Sequence, residues 1–295
     1  MDTRGTESNI TAIQAKDKGF GVFGNYTASD GTTPTYGKNL FENQQVTYSS
    51  TDSKWTYSPV KYWPTKGHID FLAYAPHDDK QVLKNNKELD FTVNSDVTKQ
   101  IDLLWDNAAK KTKTTEKVKF TFKHALAKIG YSVKSKANYS QTTITVKSIK
   151  LVGDLADENI NAFYTKGTID LSKGNNDKNL WTIADDVEKQ DFNWFTGSQN
   201  LTADAATNND DNNNLFVIPQ NFSTSENKLF VVVEYTVKTG NTEELQNKVS
   251  KPITKDFMQG KAYMINLKIG LTPIEFEAEV SLWPDAENID GIEWN

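Results

Sequence analysis

Cysteine is absent from this chain of 295 residues, and arginine occurs once, as Arg4. The absence of cysteine excludes disulfide bonds, thiolate zinc sites and cysteine nucleophiles. Because every other basic residue is a lysine, bidentate guanidinium clamps on phosphate or carboxylate groups are essentially excluded as well.

The chain also lacks a positive net charge and a long apolar run. Its net charge is −6 and its pI is about 5.3, which argues against nucleic acid as a partner. No run of about 18 apolar residues occurs, so no membrane-spanning helix is predicted. Residues 1–4 lack the order of a secretion signal, so the protein is either cytoplasmic or exported with its leader removed. An aromatic content of 11% and many Asn, Thr, Ser and Lys residues favour export.

Three long segments alternate between apolar and polar residues with a period of two. Residues 274–282 alternate apolar with mainly acidic residues, and residues 263–269 and 229–237 carry an apolar residue at every second position. This period places the apolar side chains on one face of a pleated strand. Successive strands of this type indicate antiparallel sheets with one buried and one solvated face. The predicted fold class is all-β, built from β-sandwiches.

Candidate strands form two sets of about seven, separated by turn-rich stretches. The first set comprises residues 20–23, 45–48, 54–57, 68–75, 88–93, 101–105 and 117–134. The second set comprises residues 142–152, 162–171, 180–183, 215–219, 228–238, 261–269 and 274–283. Two sets of this size predict two tandem domains, residues 1–136 and 137–295. Polar residues 135–141 mark this boundary, and residues 106–117 are the alternative.

Two of the predicted strands change phase along their length. In residues 117–134 the apolar positions change parity midway, which predicts a bulge near residues 124–126. A second change of parity occurs at Ser148. Helix is predicted only as short turns, such as residues 254–260.

Several motifs, taken in order along the chain, together resemble one protein family. They are Phe20-Gly-Val-Phe-Gly, Tyr62-Trp-Pro, Phe71-Leu-Ala-Tyr-Ala-Pro, Phe122-Lys-His-Ala-Leu-Ala-Lys-Ile, Phe216-Val-Ile-Pro-Gln, residues 230–235 and Gly260-Lys-Ala-Tyr. Their order and spacing are similar to those of the fimbrillin (minor-fimbria-like) family, the subunits of type V pili in Gram-negative gut and oral anaerobes. Each motif is common by itself, but the ordered set covers nearly the whole chain.

The resemblance implies two tandem transthyretin-like β-sandwich domains in a cell-surface fimbrial (pilin/adhesin-like) subunit, whose partners are other pilus subunits. It implies a secreted lipoprotein precursor held at the outer membrane by a lipid anchor, whose signal and cysteine this chain does not contain. It also implies assembly by strand donation, in which a protease removes an amino-terminal strand and a strand of the next subunit fills the groove. Main-chain hydrogen bonds supply the affinity in such β-augmentation, and alternate side chains fill pockets.

The resemblance directs attention to both ends of the chain. Arg4-Gly5 is the one bond that an arginine-specific protease could cut, unless Arg4 is a chance residue without a role in processing. If processing occurs further on, residues 10–13 belong to the removed strand. Ile289, Ile292 and Trp294 form a short apolar tail that could be donated to a neighbour, unless it folds back on its own domain.

Three tryptophans that flank predicted turns, Trp63, Trp105 and Trp181, are candidates for stacking on a sugar ring. They support an alternative function on the same fold, a surface lipoprotein that binds a glycan or another host ligand. Packing in the core is the competing role for each ring.

No catalytic, cofactor or metal site is predicted. His124 has no paired histidine or carboxylate motif beside it, and His77-Asp-Asp79, which could bind a cation weakly, follows Pro76 in a predicted solvated loop. The glutamates of residues 275–279 lie on one strand face rather than converging on a cleft. The Asn/Asp run at residues 208–214 lacks the spacing of an EF-hand loop. We therefore predict that the protein is not an enzyme.

Overall fold

The computed structural model describes residues 10–15, 19–28, 31, 33–114, 116–157, 159–174, 177, 179–209, 213–224, 227–271 and 276–282. Within these ranges the protein is nearly all β, which confirms the predicted fold class. Helix is rare in the described residues, and its two named elements are the α-helix α1, Ile10–Ala15, and a 3-10 turn, Val97–Lys99.

The strands are numbered in chain order. Strands β1 to β7 are Phe20–Thr27, Phe41–Ser49, Lys54–Thr56, His68–Ala75, Glu88–Thr92, Leu104–Lys111 and Lys123–His124. Strands β8 to β14 are Ala127–Ser135, Thr142–Val152, Phe163–Tyr164, Lys166–Asp170, Trp181–Thr182, Lys189–Gln190 and Phe192–Asn200. Strands β15 to β22 are Thr207–Asn208, Leu215–Val217, Gln220–Asn221, Phe230–Thr239, Leu245–Pro252, Asp256–Phe257, Ala262–Ile269 and Phe276–Leu282.

Most of these strands belong to three large sheets. The six-stranded sheet has the antiparallel order β3-β2-β1-β4-β6-β7. The four-stranded sheet has the order β14-β9-β18-β19, and the mixed sheet has the order β15-β8-β21-β22 with β16 also paired to β8. The pair β8 and β21 is parallel, in contrast to its antiparallel neighbours. Smaller sheets join β12-β11-β5, β10-β13 and β17-β20.

The four-stranded and mixed sheets pack face to face, as the period-two pattern predicts. Every second residue of β9, β18 and β21 contributes a buried apolar side chain to one shared core. Tyr131 of β8 meets Trp194 of β14 edge to face, with ring centroids 4.9 Å apart. Each large apolar side chain removed from water contributes about 1.5 to 3 kcal/mol, so this layer is a main source of stability.

The same core continues into the first part of the chain. Phe23, Leu72, Tyr74 and Trp105 of the six-stranded sheet belong to it, together with Leu89 and Phe91 of β5. Strand β5 pairs with β11 along its whole length. Residues on either side of the predicted boundary therefore share one apolar cluster and one small sheet.

The division into residues 1–136 and 137–295 stays a prediction, and the strand pairing bears on where it falls. Strand β8 hydrogen-bonds with β21, β15 and β16, all of which lie beyond residue 200. The six-stranded sheet ends with β7 at His124. A division that follows the sheets would fall between His124 and Ala127, about midway between the two predicted boundary regions, residues 106–117 and 135–141.

The predicted strand at residues 117–134 is wrong in its first part. Residues 117–122 belong to no strand, while β7 pairs with β6 and β8 pairs with β21. The change of parity near residues 124–126 is not a bulge but the point where the chain leaves one sheet for another. The change at Ser148 is a bulge: Ser148 and Val146 pair with the consecutive residues Glu234 and Tyr235, which leaves Lys147 extra.

The apolar pattern of the sequence did not predict strands β14 and β19 or helix α1. Strand β19 is exposed or half-buried along its whole length, so no apolar period marks it, and the far half of β14 is largely exposed. Residues 254–260, predicted as a helical turn, contain β20 instead. Gly260 has a φ of 64°, in the left-handed region that glycine adopts freely, and it turns the chain into β21.

Candidate functional site

The six-stranded sheet is buried on both faces, and the face turned away from the shared core is the candidate site. All eight residues of β4 are buried, because alternate residues point into different clusters. We call the outer cluster the aromatic face. Its buried members are Ile13, Phe20, Val22, Phe41, Val46, Ile69, Phe71, Ala73, Ala75, Leu104 and Ala108.

Aromatic rings dominate this face. Phe20 of β1 contacts Trp55, Phe120 and Phe122, with ring centroids 5.0, 6.0 and 5.3 Å away. Phe71 of β4 contacts Phe41 at 5.7 Å and Trp63 and Phe120 at 6.4 Å each. Most of these pairs are edge to face, the geometry that ring quadrupoles favour.

Three separate segments cover the aromatic face. They are helix α1, the loop with Tyr57 and Trp63, and residues 117–122 with their alternating Val118, Phe120 and Phe122. Within the described part of the chain, none of these segments is a strand paired in a sheet. The loop and residues 117–122 bury their apolar side chains only partly, whereas Ile13 of α1 is 3% exposed. The cover therefore consists of three separate segments, and its most deeply buried apolar side chain is Ile13 of the amino-terminal segment.

The amino-terminal segment enters the sheet through a tight turn at Gly19. Gly19 has a φ of 58°, and a Cβ at this position would lie 1.9 Å from the carbonyl oxygen of Val46. Only glycine therefore fits at position 19, directly before β1. Residues 10–13, considered above as part of a removed strand, form part of a helix here, so the expected strand conformation is wrong, while their removal stays a prediction.

A buried aspartate holds the segment at residues 117–122 in place. The Thr121 amide donates to Oδ2 of Asp106 at 2.6 Å, and the Lys123 ammonium lies 3.1 Å from Oδ1. The Lys123 ammonium also stands 5.9 Å from the ring centroid of Trp105. These side-chain contacts tether the segment at its far end, where β7 begins.

A second buried aspartate, Asp70 of β4, ties the sheet to its loops. Its carboxylate accepts from the Thr35 amide at 2.9 Å and from the Lys110 amide at 2.6 Å. Lys110 has a φ of 52° at a bulge in the pairing of β4 with β6, which points its amide at Asp70. His68 Nε2 lies 3.2 Å from Asp70 Oδ2, although the angle falls outside hydrogen-bond geometry. Asp70 therefore has a structural role, because it anchors the backbone at Thr35 and Lys110 to β4.

The other histidines are also structural. His124 Nδ1 lies 2.9 Å from Oδ2 of the buried Asp102, a carboxylate partner 22 residues away in sequence and therefore invisible to a motif search. His77 is buried, with Nε2 3.3 Å from the Asn43 carbonyl oxygen. Neighbouring Tyr74 donates to Asn43 Oδ1 at 2.7 Å, and burial raises the pKa of its phenol to about 12.

The three predicted ligand tryptophans are not brought together. Trp105 has 0% exposure in the shared core, which leaves a ligand no access to it. Trp181 is half-buried and its indole N–H donates to the Ala125 carbonyl at 2.8 Å, and Trp63 packs on Phe71. Packing in the core thus accounts for Trp105, whereas Trp63 and Trp181 are only partly buried against the apolar clusters. Among the described residues, Tyr62 beside Trp63 is the aromatic residue that projects into solvent, at 85% exposure.

The remaining predicted sites lie at the ends of the chain or in the Asn/Asp run. Arg4, Gly5, Ile289, Ile292 and Trp294 lie outside the described residues. Of residues 208–214, the buried Asn209 accepts from the Tyr131 amide at 2.9 Å and donates to Asn214 Oδ1 at 3.1 Å. Asn209 is therefore hydrogen-bonded both to β8 of the mixed sheet and to Asn214 at the end of this run.

Two features are absent from the described residues. These residues contain no group of three or more His, Cys, Asp or Glu residues that could hold a metal ion. They also contain no helix long and apolar enough to cross a membrane.

The described chain is thus an all-β protein of packed sheets, with an aromatic face closed partly by its own amino-terminal segment. The model of the fimbrillin-like family matches residues 3–283, and the chain belongs to that family.

Solved structures agree in fold. A fimbrial protein from Bacteroides vulgatus is similar with a TM-score of 0.76 at 23% identity, covering 94% of this chain and 96% of its own. A protein from Bacteroides uniformis described as a cell adhesion protein is similar with a TM-score of 0.52 at 18% identity, covering 90% of each chain. No curated protein sequence matches the chain.

Proposed function

We propose that this protein is a subunit of a cell-surface fimbrium that assembles by strand donation after processing of its amino-terminal segment. Membership of the fimbrillin-like family supports the fimbrial role, the surface location and a non-enzymatic, structural task. The partners are then other fimbrial subunits. A lipid anchor attached upstream of this sequence would hold the precursor at the outer membrane.

One observation carries the proposal: Ile13, upstream of the first strand, is buried in the aromatic face. Removal of the amino-terminal segment would expose apolar surface around Phe20 and Phe71. An exposed apolar face of this kind favours association with another chain. The apolar tail with Ile289, Ile292 and Trp294 is the segment we propose to fill it.

The test compares three forms of the chain: intact, cut after Arg4 by an arginine-specific protease, and shortened to begin at Gly19. Unheated denaturing gels and negative-stain microscopy report assembly. We expect a ladder and fibres from the shortened chain and monomer from the intact chain. Assembly after cleavage at Arg4 would place processing there, with an Arg4→Lys variant as the uncleaved control. Monomer from all forms would contradict strand donation.

A second candidate function, binding of a glycan or host ligand, is favoured by the exposed ring of Tyr62. Tyr62 and the nearby Val60, at 62% exposure, project from the loop that covers the aromatic face. An exposed tyrosine offers a flat apolar face and a hydroxyl to a sugar. Binding on a glycan array that is lost in Tyr62→Ala but kept in Trp181→Phe would support this role, and no binding by the intact protein would exclude it for the glycans on the array.

A further inference from the structure

Charge is distributed very unevenly between two segments of this chain. Residues 109–123 contain six lysines and one glutamate. Residues 269–295 contain seven carboxylates and no basic residue. The first segment leads into the cover of the aromatic face, and the second includes β22 and everything that follows it.

The lysines of the first segment face solvent. Lys110, Lys111, Lys113, Lys117 and Lys119 are all exposed. Within the described part of the chain, none of these five ammonium groups forms an ion pair, whereas Lys123 is engaged with Asp106. These five exposed lysines, which we call the rim lysines, form a positively charged surface with which no described carboxylate forms an ion pair.

Residues 117–123, which we call the lysine segment, are built like a sheet edge. Val118, Phe120 and Phe122 are half-buried against the aromatic face, while Lys117, Lys119 and Thr121 between them are exposed. This is the alternation of a strand, but from residue 117 to residue 122 the chain pairs with no strand in the described residues. A strand-like segment without a neighbouring strand can accept one from another chain.

We propose that the lysine segment is a charge-selective docking edge for residues 283–295 of a second copy of this chain. The inference rests on the proposed function and names the acceptor and the basis of its selectivity. Strand β22 is hydrogen-bonded to β21 of its own sheet, so the donated part in this proposal is the acidic stretch that follows Leu282 in sequence. Those residues combine Asp285, Glu287, Asp290 and Glu293 with the apolar tail.

Electrostatics gives this edge its selectivity. Carboxylates placed opposite Lys117 and Lys119 form favourable cross-strand pairs, while a second lysine segment placed there would be repelled. The rim lysines also attract an acidic segment before contact and raise its association rate at low salt. The same lysines thus prevent the exposed edge from pairing with itself and admit an acidic strand.

The test is a charge reversal at both partners, followed by its rescue. In chains shortened to begin at Gly19, K117E/K119E and D285K/E287K are each expected to lower assembly, because Asp285 and Glu287 have the same two-residue spacing as the two lysines. The quadruple variant K117E/K119E/D285K/E287K is expected to restore it. K80E/K238E, which reverses two exposed lysines elsewhere, is the matched control and should assemble like the parent chain. Normal assembly by K117E/K119E, or failure of the quadruple variant to assemble, would overturn the inference.

A peptide measurement separates this inference from the proposed function. A labelled peptide of residues 283–295 is titrated into the shortened chain, and binding is followed by fluorescence anisotropy. We expect binding that weakens with salt and falls about tenfold in K117E/K119E but not in K80E/K238E. Such binding would support docking even if no fibre forms, whereas no binding, or equal binding by all three chains, would overturn it.

Discussion

Two aspartates, the buried Asp170 and the half-buried Asp191, show how single residues set the pH dependence of stability. Burial by itself raises the pKa of Asp170, but hydrogen bonds from Ser172 and Lys87 outweigh it and leave the pKa below its usual value. Asp191 is different, because its burial raises the pKa further than the amides of Ala162 and Gly153 lower it. The ionised form is thus favoured at Asp170 and disfavoured at Asp191.

The first prediction follows for Asp170→Asn. A carboxylate with a lowered pKa contributes stability above its unfolded pKa, near 4, and this contribution is lost as the pH falls through the folded pKa. We expect Asp170→Asn to lower the free energy of unfolding by about 1 to 3 kcal/mol at pH 7. The difference from the parent chain should shrink toward pH 3. Urea titrations at both pH values measure it.

Asp191→Asn is the matched control, with the opposite sign. A raised carboxyl pKa contributes stability below the unfolded pKa, and this is lost as the pH rises through the folded pKa. An asparagine oxygen can still accept from the amides of Gly153 and Ala162. Asp191→Asn should therefore be neutral or stabilising at pH 7. A loss as large as that of Asp170→Asn would contradict this account of the two sites.

At the scale of elements, the short helix α1 matters because of one side chain. A helix of six residues is marginal in water, so packing rather than helix propensity holds it in place. Ile13 supplies that packing, while Thr11 of the same helix is exposed. The helix should therefore detach when Ile13 is truncated.

We predict that Ile13→Ala raises amide hydrogen exchange across residues 10–15 and lowers the free energy of unfolding by about 2 kcal/mol. Thr11→Ala, in the same helix, should change neither. Mass-spectrometric hydrogen exchange and denaturant titration give the two readouts. Equal exchange in Ile13→Ala and the parent chain would show that other contacts hold the segment and would weaken the proposed role of α1.

At the scale of the whole molecule, one core joins both halves of the described chain and reaches from Phe23 to Ile269. Hydrogen bonds reinforce it, since the Asn107 side chain donates to the carbonyls of Leu171 and Lys173 at 3.0 Å each. Units that share a core and a small sheet unfold together more readily than units joined by a linker.

We therefore predict a single cooperative unfolding transition in calorimetry, despite the two tandem domains expected from the strand count. Phe91→Ala in β5 should lower the midpoint of that one transition, because Phe91 packs on Trp181 across the shared core. Val60→Ala, at an exposed position, is the control and should leave the midpoint unchanged. Two separate transitions, with Phe91→Ala shifting only one, would favour independent domains.

The sequence by itself determined the β class, the family and most of the central strands. Strands β4 and β9 begin and end at the predicted residues, because a buried central strand must carry apolar side chains in a fixed period. Strand β19 was missed for the opposite reason: it lies at a sheet edge, where its side chains meet water and no period is required. The sequence also did not predict the contact of His124 with Asp102, because 22 residues separate the two along the chain.

The tertiary structure alone decided which residues are accessible and which segments cover which face. Trp105 and Tyr62 are both aromatic residues near turns, yet one has no exposed surface and the other is almost fully exposed. The change of parity near residues 124–126 looks like a bulge in sequence and is a change of sheet in space. Burial depends on contacts between residues far apart in the chain, and a local pattern of apolar residues carries no information about those partners.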